Sequence, residues 1–168
     1  AAFVRQECPL VVGGPDDPAN EIVSPVCAEW GENALRAIID MGPDMIISTS
    51  TRPAGHAGDG IVSADYVPEA YTNLWQRLAE LGIPFVGLRD NPWMFNPDGD
   101  PMDPNLCIVM GYPDYACSMA ADMVYAQEDP ASYFLDGDLA QWEIDTSGWY
   151  CVDGICPPQI GNVYIYRD

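Results

Sequence analysis

Apolar residues recur at helical spacing in two stretches of this chain. Cys27, Trp30, Ala34, Ile38 and Met41 lie three or four residues apart, which puts them on one face of a helix from about Cys27 to Met41. Gly42-Pro43 stops it. A second stripe of Tyr71, Leu74, Trp75, Leu78 and Leu81 predicts a helix over roughly Pro68 to Leu81. Pro68 suits its first turn and Gly82 ends it. After each helix comes a short apolar run, Met45-Ile46-Ile47 and then Ile83 to Leu88, which read as buried parallel strands. The first opens into Ser48-Thr49-Ser50-Thr51-Arg52 and a flexible stretch through Gly60. The second runs into Arg89-Asp90-Asn91-Pro92.

Helix, strand, loop, helix, strand with short joins is the grammar of an α/β fold, a doubly wound parallel sheet with helices on both faces. Ala1 to Val4 read as the end of a strand, and Gly13 to Asn20 as a loop. Trp93 to about Gln141 is loop-rich, with Asp103-Pro104 as the cap of a short helix through Met110. Leu139 to Asp145 holds a further strand. Cys151-Val-Asp-Gly-Ile-Cys156 reads as a hairpin with Asp153-Gly154 at its tip. Val163-Tyr-Ile-Tyr-Arg-Asp168 reads as a buried strand that delivers the Asp168 carboxylate at its C-terminal end.

Composition adds limits. At 168 residues the chain is most simply one domain, and 48% hydrophobic residues are enough for a core. The formal net charge of -20 repels phosphate backbones and anionic lipid heads, so nucleic acid is not an expected partner. The six cysteines fall in local pairs, Cys8/Cys27, Cys107/Cys117 and Cys151/Cys156. Nearest-neighbour disulfides are the simplest of the many connectivities they allow. Without Cys-x-x-Cys, and with His56 the single histidine, the spacing does not look like zinc. Disulfides point to an oxidising, extracytoplasmic compartment. No signal-peptide pattern is seen, and no apolar run approaches the ~20 residues of a membrane span. An oxidised domain of this kind is expected to be a fragment whose leader or anchor lies outside the sequence.

Three loops leave strands in the same direction and are expected to gather at one edge of the sheet: Ser48 to Arg52, Arg89 to Asn91, and Asp168. Their hydroxyls, guanidinium groups, amide and carboxylates suit acyl transfer or hydrolysis. Each also has a plainer use. Ser48 to Thr51 can satisfy loop backbone groups, and Arg89-Asp90 can be a surface ion pair. His56 sits between glycines in a loop, a poor place for a catalytic base. Asp98, Asp100 and Asp103 do not follow a calcium loop and read as a solvated turn cluster. No metal and no cofactor is expected.

Cys151-Val-Asp-Gly-Ile-Cys156-Pro and Ile160-Gly-Asn-Val-Tyr-Ile-Tyr-Arg-Asp168 resemble the last segment of the SGNH (GDSL-like) domains fused to acyltransferase-3 membrane proteins. Cys8-Pro9, Cys27, Pro43-Asp44-Met-Ile-Ile47, Gly82-Ile-Pro-Phe-Val86, Arg89-Asp90-Asn91-Pro92 and the Cys107/Cys117 pair are similar to earlier parts of that family. The resemblance is weakest from about Tyr125 to Asp138. It implies a flavodoxin-like, SGNH-type sheet in an extracytoplasmic domain that carries acyl groups, commonly acetyl, to or from cell-surface glycans or glycolipids. The covalently linked acyltransferase-3 membrane domain would supply the acyl group and the anchor. Asp168 matches the Asp of the family's Asp-x-x-His block, where it would orient the His base.

The departures from that family are plain. No Gly-Asp-Ser occurs in the chain, no His follows Asp168, and Ser48-Thr-Ser-Thr-Arg52 stands where a Gly-x-Asn block would fall. The chain is then expected to be an SGNH-like domain cut at both ends and inert by the Ser-His-Asp mechanism. The alternative expectation is a non-catalytic secreted module that binds glycan or protein, with Trp93 and Trp149 in loop-like stretches available to stack on sugars.

Overall fold

The computed structural model describes residues 1–5, 8–20, 23–57, 61–95 and 102–165. In chain order the elements are α1 (Pro25–Asp40), β1 (Ile46–Thr49), β2 (Arg52–Ala57), β3 (Ile61–Tyr66), α2 (Glu69–Glu80), β4 (Phe85–Leu88) and α3 (Pro104–Val109). There follow β5 (Met119–Ala120), α4 (Ala121–Val124), β6 (Gln141–Ile144), α5 (Ser147–Tyr150), β7 (Ile155–Cys156), β8 (Gln159–Ile160) and β9 (Val163–Tyr164). The fold is mixed α and β, with a three-stranded parallel sheet and three disulfides. The chain forms two compact units, one of Ala1–Ser50, Val67–Leu88 and Ala131–Ile144, the other of Thr51–Tyr66, Arg89–Pro130 and Asp145–Asp168.

The first unit holds the parallel sheet, in the order β1-β4-β6. The two long helices form where the apolar spacing predicts them. Ser24 caps α1 by accepting from the Cys27 N–H at 3.2 Å, and Pro25 occupies its first turn, where no N–H is needed. Both helices give way to a glycine at positive φ, Gly42 at 61° and Gly82 at 66°, a conformation that spares a Cβ clash. The buried residues of α1 and α2 that meet the sheet include Leu35, Ile38, Leu74, Trp75 and Leu78, with Ile46 and Phe85 facing them. The Trp75 and Phe85 rings lie 5.8 Å apart, and the Gln141 side chain donates to the Trp75 carbonyl at 2.6 Å. The predicted stripes run one residue past the buried surface, since Met41 and Leu81 are exposed.

Cross-strand register divides the sheet into two faces. Ile46, Phe85 and Gln141 are in register and all buried. The next row, Ile47, Val86 and Trp142, points the other way, with Ile47 61% and Trp142 42% exposed. Both long helices therefore lie on one face. Cys8–Cys27 ties the N-terminal segment to α1. Ala1 to Val4 form no strand; they are exposed, and no described residue pairs with them.

The second unit is built from short pieces. Of the stretch from Arg52 through Gly60, expected to be flexible loop, Arg52–Ala57 instead form β2, which pairs antiparallel with β3 with two register shifts; residues 58–60 lie outside the described residues. Asp103 caps α3, its Oδ1 accepting from Asn105 N at 2.8 Å and Leu106 N at 3.1 Å, with Pro104 following as predicted. The Cys151–Cys156 segment turns through Asp153 at φ 52° and Gly154 at φ 79°, and β7 pairs with β5. Positive φ at both central residues is the turn that Asp-Gly favours. Met94, Phe95, Met119, Val124, Tyr125 and Cys156 form this unit's core. Cys107–Cys117 closes the loop after α3.

The segment near Asp168 differs from expectation. Val163–Tyr164 is no buried parallel strand; it pairs antiparallel with Gln159–Ile160, and Val163 is 64% exposed. Gly161, at φ 61°, and Asn162 supply a tight turn that folds the chain back on itself. Asp168 itself lies outside the described residues, as do Asp98 and Asp100. No described helix is long and apolar enough to cross a membrane, and the three disulfides fit an oxidising, extracytoplasmic compartment.

Candidate functional site

Each parallel strand runs directly into a polar segment: β1 toward Ser50-Thr51, β4 into Arg89-Asp90-Asn91, β6 into Asp145-Thr146. Residues from all three segments meet in one cluster of the second unit. Its centre is Arg89, only 3% exposed. Arg89 Nε donates to Asp65 Oδ2 at 2.8 Å and Nη2 to Asp65 Oδ1 at 3.0 Å, the parallel fork that suits a carboxylate. Nη1 donates to Asp145 Oδ2 at 3.1 Å, and Nη2 also to the Ala126 carbonyl at 2.7 Å. The guanidinium lies 4.5 Å from the centre of the Tyr125 ring, within cation–π range.

The backbone around Arg89 is held as firmly. Thr146 Oγ1 donates to the Arg89 carbonyl at 2.5 Å. Thr51 Oγ1 accepts from the Asp90 N–H at 3.0 Å, and the Tyr125 hydroxyl donates to the Asp90 carbonyl at 2.9 Å. Asp65 Oδ1 takes a further bond from Ala126 N at 2.7 Å. The Arg89-Asp90-Asn91 turn is thus fixed before any ligand arrives.

The charges respond to this setting. Burial disfavours the Arg89 cation, but the hydrogen bond and charge of Asp65, with Asp145 and Asp129 beyond, more than compensate and hold its pKa above the usual value. Burial also opposes the Asp145 carboxylate, yet bonds from Ser147 and attraction to Arg89 bring its pKa below the ordinary range. Asp90 goes the other way. Burial pushes it up to about 6, against the opposing pull of the Asn91 N–H, the Trp93 side chain and Arg52. Asp90 is therefore the member of the cluster poised to exchange a proton near neutral pH.

The structure brings together Thr51, Arg89, Asp90 and Asn91 of the residues that the sequence singles out, with Arg52 near enough to act electrostatically on Asp90. Ser48 is half-buried and Thr49 exposed on β1, in the first unit. Ser50 is fully buried beneath Gly87, and no described residue bonds its hydroxyl. His56 falls on β2, with its side chain outside the described residues. Asp103 is a helix cap. Among the described residues no group of three or more His, Cys, Asp or Glu side chains is arranged to hold a metal ion.

Comparison with known proteins adds nothing to this geometry. No family model, curated protein or solved structure matches the chain. Four members of the cluster, Asp65, Tyr125, Asp145 and Thr146, escaped the sequence reading. For Asp145 and Thr146 the signal was present, because they follow a strand just as Arg89 and Asp90 do. Asp65, inside β3, and Tyr125, after a one-turn helix, carry no such mark.

Proposed function

We propose that this chain is part of an SGNH-type, doubly wound domain of an extracytoplasmic O-acyltransferase or esterase acting on a cell-surface glycan or glycolipid. The supporting observation is the convergence just described. Segments that follow three parallel strands supply one pre-organised polar cluster, the arrangement in which open α/β sheets build their sites. In this reading Arg89 is a clasp and not a ligand group, since Asp65, Asp145 and Ala126 occupy its donors. The turn it clasps presents Asp90 and Asn91 to the acceptor.

The chemistry asks for a serine nucleophile and a histidine base. Neither a Gly-Asp-Ser nor an Asp-x-x-His block occurs among the 168 residues, so the reading assigns both to the remainder of the polypeptide. The serine oxygen attacks the acyl carbonyl as the histidine takes its proton and passes it to the departing leaving group; an acceptor hydroxyl then attacks the acyl-serine, giving its proton to the histidine, and the serine leaves and takes that proton back. Asp168 would orient the histidine, and a linked membrane domain would supply the acyl donor.

The test is a chain extended by its natural flanking residues, assayed with a chromogenic acetyl ester and for acetyl transfer to a glycan. Hydrolysis or transfer that disappears with Asp168→Ala supports the reading. An extended protein that contains both blocks, folds, and does neither reaction overturns it.

A second reading, a non-catalytic glycan-binding module, rests on Trp93 and Trp149, which are 40% and 61% exposed in the second unit. Quenching or shift of tryptophan emission with millimolar sugar, lost in Trp149→Ala, is what it predicts.

A further inference from the structure

The short helix α3 turns its apolar stripe to solvent. Leu106, Val109 and the C-cap residue Met110 lie three and four positions apart, the spacing that normally packs a helix against a core. Here Val109 is 75% and Met110 66% exposed, and Leu106 is exposed too. What α3 buries is Pro104. The loop that follows adds Tyr112 and Tyr115, the second 83% exposed. This surface is tied down from several sides. Asp103 caps the helix through the Asn105 and Leu106 N–H groups, and Cys107–Cys117 closes the loop, with Cys117 fully buried. Within the loop the Gly111 N–H donates to the Ile108 carbonyl at 2.9 Å, Tyr112 to Cys107 at 3.3 Å and Ala116 to Pro113 at 2.8 Å. A loop held in this way keeps its apolar side chains outward and has little freedom left to lose when a partner covers them.

We propose that residues 106–115 form a docking surface for a protein partner that presents apolar anchors among basic side chains. The side chains suit a protein interface: methionine and tyrosine are enriched at interface centres, and methionine adapts to the shape it meets. The charges select the partner. Asp103 stands at the start of the stripe and Asp114 lies between the two tyrosines, and both are exposed. From Asp90 to Tyr166 the sequence has no lysine, arginine or histidine to answer them. Lysine or arginine on the partner's rim would answer both carboxylates, and an arginine there would also stack on Tyr112 or Tyr115. The net charge of -20 steers a cationic partner inward from long range. A second copy placed face to face brings the same carboxylates and no cation from this stretch. Anionic lipid heads are repelled, and neutral ones leave Asp103 and Asp114 unpaired. The proposal is independent of any acyl chemistry, and its test measures none.

The probe is a fluorescent amphipathic helical peptide with leucine on one face and lysine on the other, titrated with the oxidised 168-residue chain and read by anisotropy. The expected Kd is on the order of 10 μM in about 0.05 M sodium chloride, weakening roughly 10-fold in about 0.5 M. Val109→Ser with Met110→Ser should weaken binding by about 10-fold or more while leaving Tm unchanged, because both side chains are already in solvent. Asp114→Asn should weaken it about 3-fold and flatten the salt dependence. The Ser118 hydroxyl bonds the Asp114 backbone carbonyl, so that contact survives the substitution. Ile47→Ser, at an exposed apolar position of the other unit, should change nothing. A Kd above about 1 mM, or equal binding of a peptide with serine in place of leucine, would overturn the proposal. So would unchanged affinity in the Val109, Met110 double variant, or a loss as large in Ile47→Ser. Sedimentation of the chain with phosphatidylcholine vesicles, abolished in the double variant, would make the surface a lipid anchor and overturn it as well.

Discussion

Arg89 and Asp65 form a two-pronged ion pair, 2.8 and 3.0 Å, between side chains that are 2% and 4% exposed. Such a pair contributes little net stability compared with apolar neighbours of the same shape, but breaking one side strands a buried charge. Arg89→Lys keeps the charge and loses the fork, the Tyr125 stack and the Ala126 bond. It should cost about 3 kcal/mol in urea unfolding at pH 7. The double variant Asp65→Leu with Arg89→Met should recover a good part of that loss while abolishing any function of the Asp90 turn. A single variant within about 0.5 kcal/mol of the parent would show that the pair is not buried as described.

Asp90 makes stability depend on pH in an unusual direction. Its pKa rises from 3.8 in the unfolded chain to about 6 in the fold. Between those values the native state holds more protons than the unfolded one, so stability falls as pH climbs from about 4 to 6. The contribution is fully present below the lower value and gone above the upper, and is worth about 3 kcal/mol. Asp90→Asn should therefore raise Tm at pH 7.5 and change little at pH 4. Asp145 works oppositely: its lowered pKa stabilises the fold above the usual carboxylate range and is lost on acidification. A Tm difference for Asp90→Asn that is the same at both pH values would refute the assignment of the shift to Asp90.

What the sequence disclosed, and what it hid, follows from the range of the forces involved. The stripes on α1 and α2, the Ser24 and Asp103 caps and the Asp153-Gly154 turn are local, each fixed by residues within one or two turns of chain. The loop segments 48–52 and 89–91 could be named because a parallel strand announces its own end. The partners of Arg89 could not. Asp65 and Asp145 lie 24 and 56 residues away, and nothing in their neighbourhoods marks them as ion-pair partners. The last strand differs for a related reason: Val163 to Ile165 has the composition of a buried strand, but the Gly161-Asn162 turn pairs Val163–Tyr164 with Gln159–Ile160.

Gly87 lets two elements touch. A Cβ at this position on β4 would lie 2.6 Å from the Ser50 Cβ and 2.7 Å from Leu135 Cδ1. Gly87→Ala should cost about 1–3 kcal/mol by overpacking. Adding Ser50→Gly should recover part of it, because the tighter of the two clashes is removed. Equal losses in the single and double variants would show that Ser50 is not the neighbour that matters.

The disulfides should rank by the loop each closes. Cys8–Cys27 spans 19 residues, Cys107–Cys117 spans 10 and Cys151–Cys156 spans 5. Loop entropy then predicts losses of about 3 kcal/mol for Cys8→Ser with Cys27→Ser and about 2 kcal/mol for the Cys151, Cys156 double variant. Denaturant midpoints of the paired-serine variants check the order. A reversed order would place the main effect of these bonds in the native state.

Salt separates the surface from the interior of this protein. A charge of -20 spread over 168 residues is self-repulsive in the compact state. The Debye length shrinks from about 30 Å at 0.01 M to about 3 Å at 1 M salt, which removes most repulsion between exposed carboxylates. Tm should therefore rise by several degrees over that range of sodium chloride. The Arg89–Asp65 pair lies out of reach of counterions, so the loss caused by Arg89→Lys should be the same at both ends. If the loss shrinks in high salt along with the repulsion, the pair is solvated, and the claim that Arg89 pre-organises the Asp90 turn from a buried position fails with it.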